Sequence, residues 1–393
     1  MKDIKDIDDS FLLTGATGFL GSHIMAKLLL EGKRVLVLGR ASRNISLKER
    51  IAKLLKWFEI EHLEYMTELY DADFMQNDLR LENYDKLCER GLSIIHCASD
   101  TSFAERNRER VMLSNVDSLS NILSFAQKSN CRHFYYISSV YAAGIDSIEC
   151  SEEPVKSSKF YNVYEESKSA AESLVAEKCK AAEMAYSIIR SSIVYGDSVT
   201  GRSLKFNALY YPVSFIRHIR DIYLNDINNN NGKKSDECGV YINDLGMLHL
   251  PIKIFIPSAG KINLIPVNYF TETFFAIINQ PLTKEYYNIT SDYPKSMATL
   301  IEYTKNFFNI EGVDVVVDEN YKGGVRNPAE ELFDHFIKAY IPYISDERVF
   351  CRDNTDNLTS DTQSPEITYD VFDRCMTFAA SVDWGKSLFD DKS

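Results

Sequence analysis

Apolar positions in the first 200 residues fall into short runs separated by stretches of helical spacing. Phe11-Leu12-Leu13 is one such run. It breaks at Thr14-Gly15-Ala16-Thr17-Gly18-Phe19-Leu20-Gly21 into a pattern with Ile24, Leu28 and Leu29 on one face. A short apolar run bounded by turn residues reads as a buried strand, and the spacing after it as an amphipathic helix. The alternation then repeats. Arg34 to Leu38, Ala72 to Met75, Ser93 to His96 and Phe134 to Ile137 read as strands two to five. Residues 47–70, a segment through Leu87, 104–128 and 159–183 read as helices. Strands alternating with helices predict the α/β class with a parallel sheet.

The pattern changes beyond Thr200. Aromatic clusters such as Leu209-Tyr210-Tyr211-Pro212 lead to the polar run Asn228 to Lys234, which reads as a flexible loop. Tyr269 to Asn279 reads as a helix, Tyr286 to Ile289 as a strand, 296–350 as mainly helical, 352–365 as a surface excursion and 369–389 as a closing helix. The division expected is a nucleotide-binding domain over 1–200 and a smaller, mainly helical C-terminal substrate lobe over 201–393. Part of the chain near 240–290 is free to return to the first domain.

The strand, glycine turn and helix at the start carry specific chemistry. Gly15 permits the tight turn, Gly18 lets the backbone approach a pyrophosphate, and Gly21 lets helix and strand pack closely. Thr17, Phe19 and Leu20 complete the turn, and free N–H groups at the helix start attract phosphate. This predicts a Rossmann-type doubly wound parallel sheet with a bound dinucleotide. After the second strand stands Arg40, where an NAD enzyme usually carries an acid for the ribose 2′-hydroxyl. A guanidinium there pairs with a 2′-phosphate, so Arg40, with Arg43, points to NADP(H). Asp78 is positioned to accept a hydrogen bond from the adenine amino group, with the next backbone N–H, that of Leu79, contacting the ring; otherwise Asp78 caps the next helix. Cys97, Ala98 and Ser99 are small residues at the end of the fourth strand, where backbone must pass the cofactor. His96 reads as a satisfied core histidine.

The fifth strand ends in Ser138-Ser139, and 25 residues after Ser139 comes Tyr164-Glu165-Glu166-Ser167-Lys168. Tyr164 and Lys168 are four apart and share a helix face. An ammonium beside a phenol lowers its pKa, so the hydroxyl can exchange a proton near neutrality. Lys168 can also hold the nicotinamide ribose, and Ser139 can bind a carbonyl oxygen that gains charge. Asn115, on the buried face of the 104–128 helix, can hold a water near that site or make a core hydrogen bond.

Charge and composition narrow the partners. The net charge of −13 opposes nucleic-acid binding. No run of about 18 uncharged apolar residues occurs, and the N-terminus lacks an apolar signal core, so a cytoplasmic protein without a membrane span is expected. The eight cysteines are scattered, with no CxxC pair and no metal-like spacing, which predicts reduced thiols and no metal.

The order of glycine turn, arginine, Ser-Ser and Tyr/Lys helix resembles the extended short-chain dehydrogenase/reductase superfamily over roughly residues 10–200. Within it the chain is similar to the thioester reductase and fatty acyl-CoA reductase (male-sterility type) branch. The segments that carry this are Thr14 to Gly21, Lys48 to Ile51, Ile94 to Ala98, Tyr164 to Glu172, Ile189 to Asp197 with Thr200-Gly201, and Ile262 to Tyr269. Ser139 stands where the branch often has Thr, Ser191 where it often has Pro, and Asp100 replaces a small residue. The resemblance implies that Ser191 and Ile193 line the cofactor. It also implies NADPH-dependent reduction of an acyl thioester, on CoA or on an acyl or peptidyl carrier protein, to an aldehyde and then optionally an alcohol. The alternative in the same superfamily is an epimerase, dehydratase or carbonyl reductase acting on a nucleotide sugar or small carbonyl compound. Between Gly201 and Ser235, six basic residues face two acidic ones, a segment suited to a CoA phosphate, a pantetheine arm or an acidic carrier. A homodimer through 104–128 and 159–183 is expected only by analogy.

Overall fold

The computed structural model describes residues 10–42, 45–321, 323–359, 362–386 and 388. Its central feature is a seven-stranded, all-parallel sheet. In chain order the strands are β1 (Phe11–Thr14), β2 (Val35–Gly39), β3 (Thr67–Asp71), β4 (Ser93–His96), β5 (Phe134–Ser139), then Tyr186–Ser191 and Tyr286–Ile289. Across the sheet the order is Tyr286–Ile289, Tyr186–Ser191, β5, β4, β1, β2, β3. The direction of progression reverses between β1 and β4, the place where ligands of such sheets bind, beyond the carboxyl ends of the strands. Leu12, Leu36, Ile94, Ile95 and Ile188 are fully buried, as parallel strands covered on both faces must be.

The chain forms two compact units. The first comprises residues 1–192, 270–289 and 349–362; the second 193–269, 290–348 and 363–393. The first boundary falls after Ser192 rather than near 200, and the chain returns to the first unit a second time, over 349–362. The second unit is built on a nine-residue strand, Leu248–Ile256, parallel to Ile310–Val317 and antiparallel to Tyr241–Ile242. Its core gathers Ile216 and Ile219 of the helix Tyr210–Asn229, Leu300 of Met297–Phe308, and Phe372 and Met376 of Tyr369–Ser381.

Several elements differ from their sequence expectation. The third strand lies at 67–71, not 72–75: Thr67, Leu69 and Tyr70 suit a half-buried edge strand, whereas Asp73 accepts from Met75 N and closes a turn. The helix expected over 47–70 stops at Trp57, and Glu59 at φ 61° prevents its continuation. The helix expected at 104–128 is a 3₁₀ turn, a short α-helix, a π-turn over Leu113–Asp117 and an α-helix over Ser118–Lys128. Asn228 and Asn229 end a helix rather than open a loop, and a short helix, Lys233–Glu237, follows. The region 296–350 contains the strand Ile310–Val317 besides its helices. The segment 352–365 is not merely a surface excursion. Asn354 and Thr355 serve Glu152, whose buried carboxylate accepts from Asn288 N at 2.6 Å, Thr355 N at 3.2 Å, Thr355 Oγ1 at 2.6 Å and Asn354 N. A polar segment can be buried when each donor finds an acceptor.

That carboxylate joins three distant stretches of the first unit. Glu152→Ala leaves its buried donors unpaired and is expected to lower stability by about 3 kcal/mol, against less than about 0.5 kcal/mol for Glu153→Ala; urea unfolding of the two variants checks this.

Candidate active site

β1 hands over to helix α1 (Phe19–Leu30) through the glycine turn. Gly15 sits at φ 75°, and a Cβ on it would stand 2.6 Å from Ala98 N. The turn is therefore in backbone contact with the end of β4. A Cβ on Gly21 would lie 2.1 Å from the Gly15 oxygen, so helix and turn meet without room for a methyl group. Gly18 is less enclosed, its nearest neighbour being the Gly15 oxygen at 3.1 Å. No side chain caps α1 and its first turn holds no acid, so the N–H groups of Phe19, Leu20 and Gly21 are left for an anion. Thr17, Cys97 and Ser99 are each partly exposed around this turn. The cradle fits a dinucleotide pyrophosphate.

Arg40 follows β2 and is exposed. Arg43 lies outside the described residues. A second guanidinium accompanies Arg40: Arg50, on helix α2 (Leu47–Trp57), donates from Nη1 to the Arg40 carbonyl at 2.9 Å. Burial, then the charge of Arg40, lower the pKa of Arg50. Arg50 thus brings a second positive charge to the turn that carries Arg40, and it escaped the sequence reading. Its signal was present, since Ser46 and Glu49 form a capping box that starts α2 and sets Arg50 one turn in. Asp78 lies in the turn beyond β3 and accepts from Arg80 N at 2.9 Å. The helix that follows is Tyr84–Cys88 with Asn83 at its cap, so Asp78 does not cap it. Leu79 is buried at φ 53°, and its N–H donates to the Gln76 carbonyl at 3.0 Å rather than being left for an adenine ring.

His96 is a core histidine. Its Nδ1 meets Thr14 Oγ1 at 2.9 Å, and burial pushes its pKa down to about 3, so it is neutral at any working pH. Asn115 sits in the π-turn, 2% exposed. Its Oδ1 accepts from Asp100 N at 2.7 Å and Ser99 Oγ at 3.2 Å; its Nδ2 donates to the Asp100 carbonyl and to Ser167 Oγ, both at 2.9 Å. The amide is occupied by chain partners and ties the loop after β4 to the helix Val163–Ala181. It positions rather than holding a water, and the π-turn that aims it is of a kind often found at functional sites.

Ser139 ends β5 and is in register with Ser191, at the end of Tyr186–Ser191. Ile193 belongs to the second unit, where it pairs with Leu264. Ser139 Oγ accepts from Tyr141 N at 3.4 Å and acts on the Tyr164 phenol as a polar neighbour that favours its ionised form. The phenol's pKa is raised, first by burial, with Ser139 opposing and Cys97 and Glu165 adding to the rise. Lys168 is not among the groups that act on it, so the lowering that the spacing suggested does not occur, and Tyr164 is a protonated donor at neutral pH. Lys168 is 3% exposed and gives two of its three N–H groups to the chain, to the Ile137 carbonyl at 2.8 Å and Tyr136 Oη at 3.3 Å. Burial lowers its pKa to about 8, against a rise from Cys97 and Glu172. One N–H remains for a ligand. In the second unit, Arg217 and Arg220 of the basic segment both pair with Asp221, and Arg217 also with Asp383. Asp221 is already one of the two acids of that segment, so Asp383 alone reduces its positive excess. Among the described residues no His/Cys/Asp/Glu group could hold a metal, and no helix is long and apolar enough to cross a membrane.

An open parallel sheet with a glycine-turn cradle at its switch point defines a Rossmann-type fold of the dinucleotide-binding kind. More particularly, the chain belongs to the male sterility protein family, an NAD-binding family whose model matches residues 13–272. It is 32% identical over 145 residues to fatty acyl-CoA reductase 1 of Mus musculus, covering 34% of this chain and 28% of that protein. It is 30% identical over 169 residues to a putative dihydroflavonol 4-reductase of Synechocystis sp., covering 42% and 43%. The chain thus spans less than half the length of these curated relatives. Its fold is similar to the terminal R domain of the myxalamid PKS-NRPS pathway, with TM-score 0.73, 19% identity, and 98% and 93% of the two chains covered. It is also similar to UDP-glucuronic acid 4-epimerase from Bacillus cereus in complex with NAD, with TM-score 0.63, 14% identity and 96% and 99% covered.

Two outcomes follow from this geometry. Gly21→Ala forces helix and turn apart and should weaken dinucleotide binding by about tenfold or more, read by fluorescence titration. Lys168 releases its proton near pH 8 when folded but near its ordinary 10.5 when unfolded. Between those values the unfolded state binds more protons, so stability rises with pH by up to about 3 kcal/mol from this group. Urea unfolding should show that rise in the wild type relative to Lys168→Met.

Proposed function

We propose that the chain is an NADPH-dependent reductase of acyl thioesters carried on CoA or on an acyl or peptidyl carrier protein. The observation that carries this reading is Tyr164 and buried Lys168 one helical turn apart, with Ser139 at the end of β5 acting on the phenol and the dinucleotide cradle in the same unit. Branch relatives such as the fatty acyl-CoA reductases support the substrate class. Arg40 and Arg50, the latter hydrogen-bonded to the Arg40 carbonyl, bring two positive charges to one turn, which supports a 2′-phosphate and hence NADPH. Gly15, Thr17, Gly18, Phe19, Leu20 and Gly21 would hold the pyrophosphate, Asp78 the adenine, and Cys97, Ala98, Ser99 and Ser191 the remaining wall.

Bound there, the reduced nicotinamide supplies a hydride. The chain's part is to receive the charge that reduction creates. Ser139 Oγ and Tyr164 Oη are the hydroxyl donors offered to a thioester carbonyl oxygen as it becomes an oxyanion. Tyr164, kept protonated by burial, hands on its proton. Lys168 offers its remaining N–H to the ribose. Collapse of the resulting hemithioacetal gives an aldehyde and a free thiol, and a second round would give an alcohol.

NADPH oxidation with a panel of acyl-CoA and acyl-pantetheine thioesters tests this. Thioester-dependent oxidation with thiol release is expected, and inert thioesters beside a reactive ketone or aldehyde would overturn it. Tyr164→Phe should lose about a hundredfold or more in kcat. In the double variant Arg40→Ala/Arg50→Ala, KM for NADPH should rise about tenfold or more, with NADH little affected.

A further inference from the structure

One helical turn beyond Lys168, the side chain of Glu172 is buried with Arg190, the two being 1% and 2% exposed. The pair is bidentate: Arg190 Nε donates to Oε1 at 3.0 Å and Nη2 to Oε2 at 2.7 Å. The guanidinium also donates to the Ser151 carbonyl at 3.1 Å and the Glu153 carbonyl at 2.8 Å, and lies 4.8 Å from the centre of the Tyr286 ring. Ser138, the residue before Ser139, donates to Glu172 Oε1 at 2.5 Å. Five stretches of the first unit therefore meet on one ion pair: the Tyr164 helix, β5, Tyr186–Ser191, the 151–153 segment and Tyr286–Ile289.

Stability does not account for such a pair. Desolvating two charges costs about as much as their attraction returns, and apolar replacements of similar volume are often neutral or stabilising. Its location suggests another use. We propose that Glu172, Arg190 and Ser138 are positioning residues of the reductase site: they lock the Tyr164 helix to β5 and set a negative charge beside Lys168. The first effect holds Ser139 in place for Tyr164. The second opposes the loss of the buried ammonium's proton, as the rise that Glu172 imposes on the Lys168 pKa indicates.

The other groups facing Lys168 do not supply this charge by themselves. Tyr136 on β5 is a phenol held neutral by burial, His96 on β4 is neutral, Tyr164 on the same helix is protonated, and Cys97 after β4 adds only in its thiolate form. Glu172 is the carboxylate in the set.

The proposal rests on the reductase reading, and its test separates the two. In the full chain, the titration of Lys168 is followed by ¹³C NMR of the lysine side chains, assigned with Lys168→Arg, and needs no substrate. Glu172→Gln strands a buried guanidinium and is expected to destabilise the fold, so the double variant Glu172→Gln/Arg190→Met is the principal probe. It should fold, bind NADPH to within about threefold of wild type because the glycine turn is untouched, and titrate Lys168 about half a unit or more lower. With a thioester that the wild type reduces, kcat should fall about thirtyfold with KM little changed. Ser138→Ala keeps both charges: Lys168 should titrate as in the wild type while kcat falls about fivefold. A folded double variant with unshifted Lys168 and kcat within about twofold of wild type overturns the proposal. Should the double variant not fold, Ser138→Ala decides, and an unchanged kcat overturns it. Should the wild type reduce no thioester while the Lys168 shift appears, the reductase reading fails and the charge effect stands.

Discussion

The arrangement turns on keeping a lysine ammonium almost wholly out of water. Bare burial of such a charge costs several kcal/mol, and Lys168 shows the strain in a pKa brought down to about 8. Its partners explain much of the surrounding structure. The Ile137 carbonyl and Tyr136 hydroxyl come from β5, which must therefore run beside the Val163–Ala181 helix at fixed register. Ser139, two residues past Ile137, is then fixed at the strand end, within reach of the Tyr164 phenol. Asn115 secures the same helix from the other direction through Ser167 and the loop after β4. The glycine turn meets that loop at Ala98, so cradle and proton donor are held by one continuous set of contacts.

Burial also decides how the groups can act. A phenol whose pKa is raised is a poor base and a ready donor at neutral pH, which suits the delivery of a proton to a new oxyanion. A lysine brought to about 8 retains its proton at neutrality with little margin, so the negative charge of Glu172 has a consequence out of proportion to its distance from any substrate. The same low dielectric keeps His96 uncharged despite its place at the end of β4.

Much of the first unit was legible because its signals are local. Each central strand is an apolar run, the glycines obey backbone geometry, and Tyr164 and Lys168 are one turn apart. The misreadings share a cause, which is that the deciding contact is distant in sequence. β3 forms at 67–71 because β2 offers it an edge, while the apolar Phe74 and Met75 occupy a turn shaped by Asp73. Asn354 and Thr355 look like surface residues until Glu152, some 200 positions away, is seen to need donors. Arg50 gained its interest only when α2 set it against Arg40. The strand Leu248–Ile256 alternates buried and partly exposed positions, and its parallel partner follows more than 50 residues later, too far for any short-range pattern.

The central claim is that this site moves a hydride to a thioester carbonyl carbon. The most direct measurement supplies NADPH deuterated at the nicotinamide C4 position together with a reducible acyl thioester, and weighs the product by mass spectrometry. The account predicts an aldehyde, or the alcohol derived from it, carrying deuterium on the former carbonyl carbon, with free thiol released in equal amount. Free carboxylic acid without deuterium, or thiol released with no loss of NADPH, would contradict it.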